Sequence, residues 1–317
     1  MRLDSTQKSE DRFVVIDVGG TAIKFALMDA KANILEKGEV PTPLTGLEDY
    51  LDALEGIYRR YEKEAVGIAM SAPGTIDSDT GYFYTGGYLQ AFIHDINVQE
   101  LLEKRCGVPV RIENDAKCAA LAEAWSGSLK DCKDGVVIVL GTGVGGGLVH
   151  NGRLHKGKNF AAGELSFLII GDDLNDDNSY MSNAGGSIGL RQKAGKAMGA
   201  DPETLDGRMI FARANEGEEA VIAAIHEFTW PIARLIYNIQ VFYDPEKIAV
   251  GGGISRQPLL LQSIRKNLDR IYQEMKYPVV IGQKAEVVPC KYLSDSNLIG
   301  ALRHFLLSMD DLNTEAM

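Results

Sequence analysis

Cysteine is scarce in this chain. The four present among 317 residues, Cys106, Cys118, Cys132 and Cys290, show no C-x-x-C spacing, which argues against a zinc knuckle and a disulfide framework and makes them free thiols. Basic residues are in deficit, 33 Lys and Arg against 44 Asp and Glu, for a formal charge of −11. Such a chain repels a nucleic-acid backbone, and its scattered Lys and Arg form no patch, so no nucleic-acid partner is expected. Long apolar runs are missing as well. The longest charge-free stretch, "VVIVLGTGVGGGLV" at 136–149, is broken by glycines and falls short of the roughly 18 residues of a membrane span. The opening "MRLDSTQKSEDR" has no apolar signal region. The expectation is a cytoplasmic protein with no membrane partner.

What the sequence does contain is the composition of a globular protein, 45% hydrophobic and 24% charged, long enough for two domains. Apolar strand-like runs alternate with amphipathic stretches. "RFVVIDVGG" and "TAIKFALMD" read as two strands around a glycine turn. "LEDYLDALEGIYRRYEKE" at 47–64 follows as a helix, "AVGIAMSAPGTID" as a buried strand running into a Pro-Gly turn, "VQELLEKRCG" as a helix stopped by Gly107, and "VPVRIEN" as a further strand. This alternation predicts α/β architecture.

The chain also repeats itself. "IDVGGTAIKFALMD" at 16–29 and "VLGTGVGGGLVHNG" at 139–152 share one plan: strand, Gly/Thr loop, apolar strand, polar turn. They lie about 120 residues apart, one domain length. Two similar α/β halves facing each other across a cleft are therefore expected, spanning 1–116 and 117–296, with the apolar helix at 297–308 packing back on the first. Trp125 and Trp230 have helical, apolar settings and are expected in the core.

Three glycine loops invite a ligand. "DVGGT", Asp17 to Thr21, is neither a Walker loop nor a G-x-G-x-x-G loop, so a nicotinamide cofactor is unsupported. It is either a plain hairpin turn or a turn whose amides reach phosphate oxygens beside an acid able to hold hydrated magnesium. "LGTGVGGG" has five glycines among residues 141–147, which close approach to a ligand or crowded strand packing would each explain. "DPEKIAVGGGIS" places Gly251, Gly252 and Gly253 directly after a strand, as expected beneath a nucleotide. Last, "VRIENDAKCAALAEA" puts Glu113, Asn114 and Asp115 in a row at the start of a helix. A helix cap accounts for one polar residue there; three leave room for a catalytic carboxylate.

Together "DVGGTAIKFALMD", "SAPGTID", "ENDAKCAALAEA", "LGTGVGGGLVHNGRLHKG", "AGELS" and "DPEKIAVGGGIS" resemble, in order and spacing, the ROK sugar kinases of the superfamily that includes actin and the heat-shock chaperone ATPases. The resemblance covers residues 13 to about 305 and implies two actin-like, ribonuclease H-like domains closing on MgATP and a sugar. It makes Asp17, Gly19, Gly20 and Thr21, with Gly141, Thr142 and Gly143, the holders of the β- and γ-phosphates. Asp17 would hold Mg2+ through water, and Gly251, Gly252 and Gly253 would hold the adenosine. Asp115 becomes the general base, and Gly74, Asn114 and Glu164 become sugar ligands beside it. A homodimer is expected on general grounds. The family also includes sugar-responsive repressors with an N-terminal helix-turn-helix domain. Only about a dozen polar residues precede the first strand here, so a kinase is expected in preference to a repressor, and a non-catalytic sugar sensor is the rival from another class.

One departure matters for specificity. Typical ROK kinases follow "GE" with Gly-His and a cysteine cluster that bind zinc. Here Phe167 stands at the histidine position and no cysteine occurs between Cys132 and Cys290, so no structural zinc is expected. Phe167 either fills the space that zinc vacates or packs on an aglycone. Tyr88 and Phe92 in "TGGYLQAF" add aromatic surface. These changes predict a 6-kinase acting on β-glucosides such as cellobiose, with glucokinase or N-acetylmannosamine kinase activity as the alternative. The acids Asp172, Asp173, Asp176 and Asp177 lack the EF-hand pattern and read as a solvated loop.

Overall fold

A strand that is apolar on both faces belongs inside a sheet, and "FVVIDV" takes that place. The computed structural model describes residues 11–277, 279, 282–292 and 294–315, residues 311–315 by backbone alone; most of the polar opening segment lies outside the described residues. The described chain divides into two compact units.

The first unit holds the residues up to Trp125, Lys156–Ala162, and those from Asp295 onward. Its elements are β1 (Arg12–Val18), β2 (Ala22–Asp29), β3 (Ile34–Pro41), α1 (Leu47–Arg59), β4 (Ala65–Ala72), three two-residue strands β5 (Ile76–Asp77), β6 (Tyr82–Phe83) and β7 (Ile96–Asn97), α2 (Val98–Cys106), β8 (Val110–Asn114) and α3 (Asp115–Ser126). The main sheet runs β3-β2-β1-β4-β8, and β5-β6-β7 forms a small second sheet. β1, β2 and β3 form an antiparallel meander, whereas β1, β4 and β8 are parallel, with Asp17 opposite Ser71 and Ala72 opposite Asn114.

The second unit, Ser126–His155 with Gly163–Ser294, repeats this plan. β9 (Gly135–Leu140), β10 (Val144–His150) and β11 (Arg153–His155) form the meander. After α4 (Met181–Gly185), α5 (Ser187–Met198), α6 (Gly207–Asn215) and α7 (Glu219–Tyr243) come β12 (Lys247–Gly251), α8 (Pro258–Glu274) and β13 (Glu286–Pro289). The sheet order is β11-β10-β9-β12-β13, again three antiparallel strands followed by two parallel ones. The two glycine hairpins seen as a repeat in the sequence thus begin two sheets of identical topology.

The chain's last helix, α9 (Ser296–Glu315), packs on β1, β4 and β8 of the first unit. Phe305 lies 5.1 Å from the Phe13 ring. Gly300 faces the Cys118 carbonyl of α3, where an added Cβ would stand 1.8 Å from the oxygen. That packing keeps α3 with the first unit, and the division falls after Trp125, not at 116.

Other expectations change in detail. α1 stops at Arg59, five residues short of 64, because the chain turns inward at Tyr61, which is buried and accepts from the Glu64 and Ala65 amides. α2 ends as expected on Gly107 in the left-handed conformation, φ 74°. Trp125 and Trp230 are only half-buried, each beneath a guanidinium, Arg303 at 5.1 Å and Arg270 at 4.9 Å. Phe92 is core-packed against Tyr50, ring centroids 6.1 Å apart, and offers little of the surface expected of it. All four cysteines are buried. No helix among the described residues is long and apolar enough to cross a membrane.

Two glycine-to-alanine changes separate packing from propensity. In Gly300→Ala the methyl meets the α3 backbone, which has no rotamer to move, and a loss of about 3 kcal/mol is expected. Gly56→Ala, inside α1 with nothing near the added Cβ, should gain about 0.5–1 kcal/mol. Urea unfolding of both variants reads the contrast directly, and equal effects would contradict the α3–α9 contact.

Candidate active site

Three residues in a row at the β8–α3 junction turn out to have three separate environments. The Glu113 side chain points into the core at 1% exposure. Its Oε1 accepts from the Asn114 amide at 2.8 Å, while Oε2 lies 4.0 Å from Nδ1 of buried His304 on α9. Burial holds the His304 pKa below its ordinary value, against the pull of Glu113, so the imidazole is neutral near pH 7. Asn114 is the cap: its Oδ1 accepts from the Ala116 and Lys117 amides at 3.0 and 3.2 Å, and its Nδ2 donates to the Gly74 carbonyl at 3.0 Å. Asp115 is therefore not needed as the cap. It is the first residue of α3, half-buried, with Oδ1 accepting from Ala116 N at 2.7 Å, a position where the helix dipole favours the ionised form.

The parallel register brings other expected residues to the same place. Strands β1, β4 and β8 end side by side, so the Asp17 loop, the Gly74 turn and the Asp115 helix start all emerge from the carboxyl edge of one sheet, where ligands of α/β sheets bind. Gly74 has φ +108°, and a Cβ there would stand 2.0 Å from the Thr85 carbonyl, so only glycine fits the turn that presents its carbonyl to Asn114.

The Asp17 loop is a fixed turn. Gly19 N donates to Ala22 O at 3.1 Å, and Thr42 closes the far side, donating from its hydroxyl to Gly19 O at 2.6 Å and from its amide to Thr21 O at 3.1 Å. Tyr88 donates its hydroxyl to Val18 O at 2.9 Å. With those carbonyls and the Gly19 amide occupied, the exposed part of the turn is Gly20 and Thr21, whose amides suit an incoming acceptor. Asp17 itself is buried and accepts from Asn297 Nδ2 at 3.0 Å and Ser71 Oγ at 3.1 Å. Burial raises its pKa despite those two hydrogen bonds and the charge of Lys24.

In the second unit two loops share an edge. β9 and β12 are parallel with Gly251 opposite Val139, so Gly141–Gly143 and Gly252–Gly253 leave the same end of the sheet. Their glycines divide by purpose. A Cβ on Gly141 or Gly253 would meet nothing within 4 Å, whereas on Gly252 (φ +98°) it would lie 2.0 Å from Leu140 O, and on Gly146 2.5 Å from Leu165 Cδ1. Crowded packing thus explains Gly146 and Gly252 and leaves Gly141 and Gly253 without a structural reason. The loop is tied down by Ser187 N at the start of α5, donating to Gly141 O at 3.0 Å, and by Ser166, whose hydroxyl accepts from Val144 N at 3.0 Å. Thr142 is exposed, and Gly143 packs on Ser166, which leaves 2.7 Å for an added Cβ.

Glu164 is half-buried and precedes a one-turn 3-10 helix, Leu165–Phe167. It lies in the second unit, whereas Gly74, Asn114 and Asp115 lie in the first. Phe167 is 75% exposed and fills no interior space. Among the described residues no group of three or more His, Cys, Asp and Glu side chains is placed to hold a metal ion.

Sequence reasoning did not single out Ser71, Thr42, Asn297 or His304. Asn297 had a signal, a lone amide heading an apolar helix. The others became legible only once strands and helices were packed.

Residues 13–306 match the model of the family described as ROK family. A beta-glucoside kinase of Listeria monocytogenes is 29% identical over 93% of this chain and 97% of its own length. A glucokinase of Halalkalibacterium halodurans is 29% identical over 82% and 86%. Among solved structures, a ROK family protein from Streptococcus pneumoniae in complex with sucrose superposes with a TM-score of 0.81, at 31% identity over 95% of this chain and 99% of its own.

Asp17 yields a pH prediction with a definite sign. A carboxyl whose folded pKa is raised contributes stability fully below the unfolded value and loses it as pH rises through the folded value. Asp17→Asn, neutral throughout, should therefore melt above the wild type at neutral pH, with the two curves converging in acid. Thermal melts across pH test this, and a variant that melts lower at pH 7 would show that the fold favours the ionised acid.

Proposed function

The chain belongs to the ROK family, and on that premise we propose that it is an ATP-dependent sugar kinase in which Asp115 is the general base. The observation that carries the base assignment is the division of labour at the β8–α3 junction: Asn114 takes the cap and Glu113 the core. Asp115, the first residue of α3, is the half-buried carboxylate of that junction, at the carboxyl edge of the sheet where the Asp17 loop and the Gly74 turn also emerge. Phosphoryl transfer asks a protein mostly for positioning and charge stabilisation. The acceptor hydroxyl gives its proton to Asp115 as its oxygen bonds the γ-phosphorus. The bond from that phosphorus to the bridging oxygen breaks, and ADP leaves. The exposed amides at Gly20 and Thr21, and the loop at Gly141 to Gly143, suit the phosphates; Gly251 to Gly253 suit the adenosine; Gly74, Asn114 and Glu164 are assigned to the sugar.

Magnesium fits the residues present. Asp17 is a desolvated carboxylate with Lys24 as its neighbouring cation and a raised pKa, so a divalent ion beside it would restore the ionised form. When bound, the ion supplies neutralisation of phosphate charge. Asp17, steered by Ser71 and Asn297, is the group that would hold it, through water.

The acceptor we favour is a β-glucoside phosphorylated at its 6-hydroxyl. Support comes from Phe167, which stands exposed three residues after Glu164, where an aromatic face suits an aglycone or second sugar ring, and from relatives named as beta-glucoside kinases. A free anomeric hydroxyl beside that face would forfeit its hydrogen bonds, at about 1–3 kcal/mol each.

Two measurements test these assignments separately. Asp115→Asn should lose about 10²-fold or more in kcat, the scale of general-base removal, with ATP binding retained; near-wild-type turnover would reduce Asp115 to a helix-end residue. For the acceptor, kcat/KM for cellobiose should exceed that for glucose. A preference for glucose would end the aglycone reading and leave the kinase standing.

A further inference from the structure

One exposed aromatic side chain touches the turn assigned to the phosphates and lies within electrostatic reach of Asp115. Tyr88 sits in the one-turn 3-10 helix Gly87–Leu89, whose neighbours Leu89 and Ile93 are buried anchors. The loop is rigid by construction. Gly86 N donates to Gln90 Oε1 at 3.0 Å, a Cβ on Gly86 would lie 2.5 Å from Ile93 O, and Gly87 has φ +60°. From this base the Tyr88 hydroxyl reaches Val18 O at 2.9 Å. Its ring covers Gly20, lying about one van der Waals contact (3.9–4.0 Å) from where a Cβ of that residue would stand. Burial first, and then the Asp115 and Asp17 carboxylates, push the phenol pKa up, so the hydroxyl stays a donor and both acids lie within its electrostatic reach. Yet 49% of the residue remains exposed. A tyrosine that only completed the core would not keep half its surface in water. An aromatic ring held by its hydroxyl and left open on one face is a pre-ordered platform for an amphipathic ligand.

We propose that Tyr88 is a positioning and specificity residue: its hydroxyl locks the Val18–Thr21 turn for the nucleotide, and its free ring face receives the apolar C–H face of the acceptor's pyranose ring beside Asp115. The inference rests on the kinase reading above. It adds that one side chain serves both substrates, so the two functions separate by chemistry: the hydroxyl belongs to the phosphate turn, the ring to the sugar.

Steady-state kinetics of the purified full chain with MgATP and cellobiose or glucose, run beside thermal melts, tests it. Sugar-dependent ADP release by the wild type comes first; its absence with every sugar overturns the kinase reading and this inference with it. Given wild-type turnover, Tyr88→Phe removes only the hydroxyl and should raise KM for MgATP by about five-fold, the size of one lost hydrogen bond, with KM for the sugar unchanged. Tyr88→Leu removes the ring as well and should raise KM for the sugar by about three- to ten-fold, and Tyr88→Trp should restore the sugar KM but not that of MgATP. Unaltered KM for MgATP in Tyr88→Phe overturns the clamp, and unaltered sugar KM in Tyr88→Leu overturns the platform. Parallel changes in all constants with a falling melting temperature overturn both in favour of a purely structural tyrosine.

Discussion

The in-register pairing of three parallel strands, β1 with β4 and β4 with β8, is the constraint on which the rest of the first unit depends. Hydrogen bonds between Asp17 and Ser71 neighbours on one side, and Ala72 and Asn114 neighbours on the other, bring three loop-bearing strand ends to one edge. A slip of one residue would turn Asp17 to the opposite face of the sheet, away from Ser71 and Asn297, and carry Asn114 away from the Gly74 carbonyl. α9 braces this register from behind, touching all three strands and sending Asn297 to Asp17 from its first turn. The helix farthest along the chain is thereby part of the machinery at its beginning.

Buried polar groups show what that arrangement costs. Asp17 and Glu113 are carboxylates out of water, and among the described residues neither is matched by a close ion pair: Asp17 has two neutral donors, and Glu113 leaves Oε2 without a hydrogen bond while His304 is held neutral by burial. Groups of this kind destabilise a fold unless something else compensates. For Asp17 a bound cation would do so. For Glu113 the compensation is local, since Oε1 fixes the Asn114 amide and so orients the cap from which Asp115 projects.

The glycine loops carry a similar lesson in the second unit. Glycines that look alike in the sequence answer to different forces, since Gly146 and Gly252 exist to let atoms of the same unit pass, while Gly141 and Gly253 face open space. Only the second kind speaks for a ligand. The close approach between Gly146 and Gly163 also anchors the segment that leads to Glu164, so a glycine of the packing kind still helps to place a residue assigned to the sugar.

How much of this was legible beforehand follows from the range of the forces involved. Local rules act over a few residues, and so the strand–glycine–strand hairpins, the α2 stop at Gly107, the duplicated plan of the two sheets and the identity of the candidate loops could all be read from residue order. The question raised by Glu113, Asn114 and Asp115 could be posed but not answered there, because which of the three caps, which is buried and which remains depends on His304 and Gly74, far away in the chain. The same holds for α1, which ends early because Tyr61 turns into the core, for Phe92, claimed by Tyr50, and for the exposure of Phe167. Residue order determined the elements and the chemistry on offer; the packing of distant elements, whose contacts leave no local period in a sequence, decided which side chains are buried, which cap a helix and which stay exposed.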